Sequence, residues 1–134
     1  MRELTSHRIN ECNGSLTIKA VDQPGSGGAN HRYDITGFDN TNNPSNVPAD
    51  GFQAHYFRTC VVFQNGPIKE VGVNGITNEA LLAIVEDRLA GFQSGPYACP
   101  ENAAALGSVR DAMLFLAKRT AAREARGVEG THKP

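Results

Sequence analysis

The stretch from Gly66 to Gly127 most constrains what this chain can fold into: two long amphipathic segments separated by Gln93-Ser94-Gly95-Pro96-Tyr97-Ala98-Cys99-Pro100. The first opens on Thr77, placed as an N-cap with Glu79 close behind it. Leu81, Leu82, Val85, Leu89 and Phe92 then recur at the spacing of one helical face. The second opens on Pro100, where a missing N–H is harmless because first-turn donors have no partner inside the helix, and Glu101 follows it. Leu106, Val109, Met113 and Leu116 step down its buried side, and it closes on Lys118, Arg119, Arg123, Arg126 and then Gly127. Cations suit a helix C-terminus, and glycine suits the left-handed residue that ends one. Two helices joined by so short a turn pack antiparallel, so residues 77–127 are predicted to form a helical hairpin.

The residues before it read as β-structure. Ser15–Val21 alternates polar and apolar with period two, and is the first strand the pattern predicts. Asp22 to Gly28 is a turn; its three glycines lack the Gly-Lys-Ser/Thr and the following helix of a phosphate-cradling loop. His31–Phe38 is a second strand, with Arg32, Asp34 and Thr36 on one face and Tyr33 and Ile35 on the other. Asp39–Gly51 holds four asparagines and two prolines, a loop long enough to serve a ligand. Phe52–Gln64 is aromatic and β-branched throughout, so it is expected as the central strand. Asn65-Gly66 predicts a type I′ turn and Ile68–Val73 the strand returning from it. The fold class is therefore α+β, one domain with an antiparallel sheet over 1–76, the hairpin over 77–127 and a tail over 128–134.

With 134 residues the chain can bury a core without metals or disulfides. Its net charge of −1 argues against binding long nucleic acids, which are met by a strong basic excess, but a small anion needs only a few local cations. Cys12, Cys60 and Cys99 are odd in number and spaced like neither a zinc site nor a disulfide framework, so reduced, buried thiols are expected. No segment resembles a secretion signal or a membrane span, which places the protein in the cytoplasm, away from membranes.

Catalysis needs a nucleophile or a tuned acid and base in one cleft, and none of His7, His31, His55 and His132 sits in a recognisable motif. Cys99 precedes a helix N-terminus, which can activate a thiol, although a structural thiol is the better reading of it. Glu86, Asp87 and Arg88 read as a solvated face with local ion pairs. Arg119, Arg123 and Arg126 differ, because i, i+4 and i, i+7 spacing gathers three guanidinium groups on one face, an arrangement suited to phosphate oxygens. Phe92 and Tyr97 flank the interhelix turn, where a ring packs in a core or stacks on a base. Asn102 either assists the helix start or reads a base or ribose edge, since its amide both donates and accepts.

The run Phe92 to Asn102, then Leu114-Phe115-Leu116-Ala117-Lys118-Arg119-Thr120 and the closing Arg126-Gly127-Val128-Glu129-Gly130-Thr131-His132, resembles the Thoeris anti-defence protein 1 family of phages. That family shares its helical hairpin with the anti-CBASS protein 2 sponges and adds an N-terminal antiparallel sheet. The resemblance covers mainly Gln64 to His132. It implies a non-enzymatic sponge, without cofactor or metal, that binds the cyclic ADP-ribose isomers of Thoeris signalling inside the infected host cell. It also implies a homodimer or hexamer with a separate site for cyclic trinucleotides. Phe92 matches the family's base-stacking aromatic, Asn102 its polar contact and Arg119 a phosphate-binding arginine; Arg123 and Arg126 are both available for the second arginine, and the alignment leaves open which of them takes it. Gly127, Gly130, Thr131 and His132 match the second nucleotide site. Two other classes compete: a nucleotide-degrading enzyme using His55, Glu70 or Cys99, and a phage structural or adaptor protein whose hairpin only oligomerises.

Overall fold

The computed structural model describes residues 1–46 and 56–134. The element order is β1 (Arg2–Leu4), α1 (Glu11–Ser15), β2 (Thr17–Ala20), β3 (Arg32–Thr36), β4 (Thr59–Val62), α2 (Ile68–Val71), α3 (Asn78–Gln93) and α4 (Pro100–Ala125). The chain forms two compact units, residues 1–63 and 64–134, so 64–76, which the sequence pattern groups with the sheet, lies in the helical unit. The α+β architecture read from the sequence is the one observed, an antiparallel sheet followed by a helical hairpin.

In the first unit the strands pair antiparallel in the order β1-β2-β3-β4. The register sets Leu4 against Ile18, Ile18 against Ile35, Ala20 against Tyr33 and Tyr33 against Val61. Because directly opposed residues share a face, one side of the sheet is apolar and the other carries Lys19, Arg32, Asp34 and Cys60. Phe63 extends the apolar side, its ring edge-on to Tyr33 at 5.8 Å. The turn between β2 and β3 is held by Asp22, whose carboxylate accepts from the backbone N–H groups of His31 and Arg32 and from the Asn30 amide. Gly37, at φ 92°, follows β3 so closely that a Cβ there would lie 1.9 Å from the Ser15 carbonyl oxygen.

Two expectations fail together. Ile68–Val73 is not a strand: Ile68–Val71 is a single helical turn, closed by Val71 N–H donating to the Pro67 carbonyl at 2.9 Å. Pro67 has no N–H to give a ladder. Side chains close most of the loop, with Gln64 Nε2 donating to the Gly72 carbonyl, Asn74 Nδ2 to the Asn65 carbonyl, and Asn65 N–H to Asn74 Oδ1, beside one backbone bond from Gln64 N–H to the Ile76 carbonyl at 2.9 Å. Among the described residues no returning strand lies on its outer side, so β4 is an edge rather than the centre of the sheet, and its ladder spans Thr59–Val62. Residues 52–55 of the expected strand, His55 among them, and 47–51 of the long loop lie outside the described residues. β1 was not foreseen, because three residues are too few to show alternation.

In the second unit α3 begins on Thr77, whose Oγ1 accepts from Ala80 N–H at 3.1 Å. α4 begins with Cys99 as N-cap, its Sγ accepting from Asn102 N–H at 3.4 Å, and Pro100 stands at the first helical position. The turn between them is fixed by Gln93, whose Oε1 accepts from Cys99 N–H at 3.0 Å. α3 packs against α4, with Leu106 buried and Leu81, Leu82, Leu89, Val109, Met113 and Leu116 half-buried. Glu86 Oε2 accepts from Arg110 Nε at 3.2 Å across the pair. α4 ends in a Schellman motif: Val128 N–H donates to the Arg123 carbonyl, Gly127 N–H to that of Glu124, and Gly127 takes φ 72°.

Candidate functional site

The turn between α3 and α4 gathers the first set of candidate residues. Phe92, on the last turn of α3, is 40% exposed and Tyr97 73%, far more than core aromatics would be. The rings meet edge-on at 6.4 Å and 84°. Arg88, one helical turn before Phe92, lies over its ring at 5.5 Å from the centroid. This cation–π contact draws a charge to the turn that the sequence reading assigned to a solvated face; the signal was the i, i+4 spacing of Arg88 and Phe92. Asn102 lies half-buried in the first turn of α4, its side-chain amide without a hydrogen bond among the described residues. Its backbone N–H is the one used to start the helix, so the amide is available to a ligand.

The three arginines of α4 do not behave alike. Arg123 is 9% exposed and fully engaged with the tail. Its Nε donates to Glu129 Oε2 at 3.1 Å, Nη1 to the Lys133 carbonyl at 2.8 Å, and Nη2 to the carbonyls of Val128 and Thr131. Arg126 donates to the Pro134 carbonyl. Arg119 is exposed and makes no hydrogen bond or ion pair among the described residues. Of the three, only Arg119 has its whole guanidinium fork available to an anion.

Helix geometry separates these residues into two groups. Asn102 and Arg119 are 17 residues apart on one continuous helix, Pro100–Ala125, which at 1.5 Å per residue is about 26 Å along its axis. Within one hairpin, Phe92, Tyr97 and Asn102 occupy one end and Arg119 the other.

The tail residues form a third group. Gly127 and Gly130 both have positive φ, 72° and 76°. Thr131 Oγ1 donates to the Val128 carbonyl, and His132 Nδ1 lies 3.9 Å from Glu70 Oε1 on α2. The Gly130 carbonyl accepts from Lys69 N–H at 3.5 Å, so the tail is laid against α2 and pinned to α4 by Arg123.

No group of three or more His, Cys, Asp or Glu side chains among the described residues could hold a metal ion, and among them no helix is long and apolar enough to cross a membrane. His31 lies just ahead of β3, with its Nδ1 4.0 Å from Asp22 Oδ2, and His7 Nε2 bonds the Leu16 carbonyl at 2.7 Å. Both serve the sheet unit's own turns.

A family model described as the hairpin domain of Acb2/Tad1 matches residues 59–121. The matched stretch contains Phe92, Asn102 and Arg119 and ends before Arg123. The chain is also similar to a protein of Bacillus phage SBSphiJ7 named Thoeris anti-defense 1, with 52% identity over 73 residues. That match takes in 54% of this chain and 51% of the relative, so the chain spans about half the length of the curated relative it matches.

Proposed function

We propose that the protein is a phage anti-defence sponge, which acts in the infected host cell by binding cyclic ADP-ribose isomers of Thoeris signalling and holding them without cleavage. The observation that carries this reading is the division of one helix between two ends. An exposed aromatic pair with an open amide stands at one, and an uncommitted arginine stands about 26 Å away at the other. A messenger with one adenine and two phosphates is too small to bridge that distance. Two hairpins packed antiparallel bring the Phe92, Tyr97 and Asn102 end of each against the Arg119 of its partner, and so complete two sites per homodimer.

The surface of the hairpin supports association. Ile84 and Val85 on α3 and Leu114 and Phe115 on α4 are exposed, Phe115 by 66%, whereas a monomeric hairpin of this length would keep such residues inside. Enclosure between subunits also suits the task. Sequestration of a scarce signal calls for nanomolar affinity, about 12 kcal/mol, which an open surface contact does not supply. Of the two candidates for a second phosphate contact, Arg126 is the better placed, since Arg123 has its donors committed to the tail. Binding of this kind needs positioned donors and rings and no nucleophile, in keeping with the anti-defence name of the relative.

The tail supports a second reading at a separate place. Gly127, Gly130, Thr131 and His132, held in a fixed course by Arg123, are proposed to take cyclic trinucleotides of CBASS signalling in a hexamer built from these dimers.

Mixing tests the composite site. Phe92→Ala and Arg119→Ala chains are each expected to lose binding of cyclic ADP-ribose isomers. Co-folded in equal amounts, they are expected to regain about a quarter of the wild-type capacity, because half the dimers then hold one intact site. No recovery on mixing would mean that both residues act within one chain, against the proposal.

A further inference from the structure

The polar face of the sheet unit holds a cleft of about 410 Å³. It is lined by Arg32, Tyr56, Phe57, Arg58 and Cys60. The register accounts for this grouping. Asp34 opposes Cys60 and Arg32 opposes Val62, so Arg32, Asp34 and Cys60 share a face, and Arg58 precedes Cys60 by two residues. Asp34 fixes both guanidinium groups. Its Oδ1 accepts from Arg32 Nε at 3.2 Å and its Oδ2 from Arg58 Nη2. Each arginine keeps N–H groups beyond those bonds. Arg58 retains Nε and Nη1, while Arg32 Nη2 donates to the weakly accepting Cys60 sulfur at 3.8 Å. Burial pushes the Asp34 carboxyl up, but bonds from Cys60 and Arg32 and the charges of Arg32 and Arg58 pull it below its ordinary value. Two cations against one anion leave the trio with a net positive charge.

Beside this cationic edge stand two rings. Phe57 is 62% exposed and meets Tyr56 edge-on at 6.3 Å. Large rings left in water next to oriented guanidinium groups are the two halves of a site for an aromatic anion. We propose that the sheet unit carries its own ligand site, in which Phe57 and Tyr56 take a planar base and Arg58 and Arg32 its single phosphate, as in a nucleoside monophosphate. The volume lies within the range of small-molecule sites, about 300–1,000 Å³, and fits one nucleotide rather than a cyclic trinucleotide. The site is independent of the sponge reading, since no residue of it lies in α3 or α4.

The test is calorimetric titration of the full chain with adenosine 5′-monophosphate in a Phe92→Ala/Arg119→Ala background, which silences the hairpin residues. One nucleotide is expected to bind per chain, with adenosine and inorganic phosphate each weaker by at least about tenfold. Adding Arg58→Ala or Phe57→Ala is expected to weaken binding by about tenfold or more. Phe57 is largely exposed, so its variant keeps the fold and decides the matter if loss of the Arg58–Asp34 pair disturbs β4. Absence of nucleotide binding, binding indifferent to Phe57→Ala, or phosphate binding as tightly as the nucleotide would overturn the proposal.

Discussion

At the scale of the residue, neighbouring arginines on one helix do different work, and burial tells them apart. Arg123 has its donors in Glu129 and three tail carbonyls, and so serves structure. Arg123→Ala is expected to cost about 2–3 kcal/mol in urea unfolding by stripping a nearly buried charged donor from its acceptors. Arg119→Ala, which removes an exposed side chain with no hydrogen bond or ion pair among the described residues, is expected to stay within about 0.5 kcal/mol of wild type in the same measurement. Spacing alone made Arg119, Arg123 and Arg126 equivalent; the tail that distinguishes them folds back from beyond the helix, and no local pattern announces that. Asp22 gives a pH signature. Burial raises its pKa, but the backbone N–H groups of His31 and Arg32 and the Asn30 amide more than offset this, holding it below its ordinary 3.8. The carboxylate therefore stabilises the fold above about pH 4 and loses that contribution as pH falls through the lowered value. Urea midpoints of Asp22→Asn measured from pH 2 to 6 are expected to fall less steeply on the acid side than those of wild type.

At the scale of the element, the hairpin was legible because its punctuation is chemical. Thr77 caps, Pro100 opens and Gly127 closes, each for a reason written in its own backbone. Thr77→Ala is expected to cost about 1 kcal/mol of stability, and Gly127→Ala about 1–2 kcal/mol because alanine must enter the left-handed region; thermal unfolding followed by circular dichroism checks both. The β half was harder to read. Asn65-Gly66 promised a hairpin, yet Pro67 withheld a ladder donor and the amides of Gln64 and Asn74 closed the loop themselves. The helical turn that stands in place of the returning strand leaves β4 at the edge of the sheet rather than its centre. Edge placement in turn leaves Cys60 and Val62 exposed beside Arg58 and Phe57, a consequence that no strand propensity contains.

At the scale of the whole molecule, the candidate residues Phe92, Asn102 and Arg119 could be chosen from the sequence but not assembled from it. Their separation along α4 appears only when the helix is known to be continuous from Pro100 to Ala125. In the proposed homodimer, association is the step that reunites them. Phe115→Asp is expected to shift the native mass of the protein toward that of a single 14.3 kDa chain, and to abolish messenger binding although Phe92 and Arg119 remain. A mass unchanged by that substitution would remove Phe115 from the interface. The central claim is retention without chemistry, and one measurement meets it directly. The protein is loaded with a cyclic ADP-ribose isomer, washed free of excess, denatured by heat, and the released nucleotide is chromatographed. The account predicts recovery of the same cyclic compound in amounts matching the bound sites; linear ADP-ribose in the released fraction would contradict it.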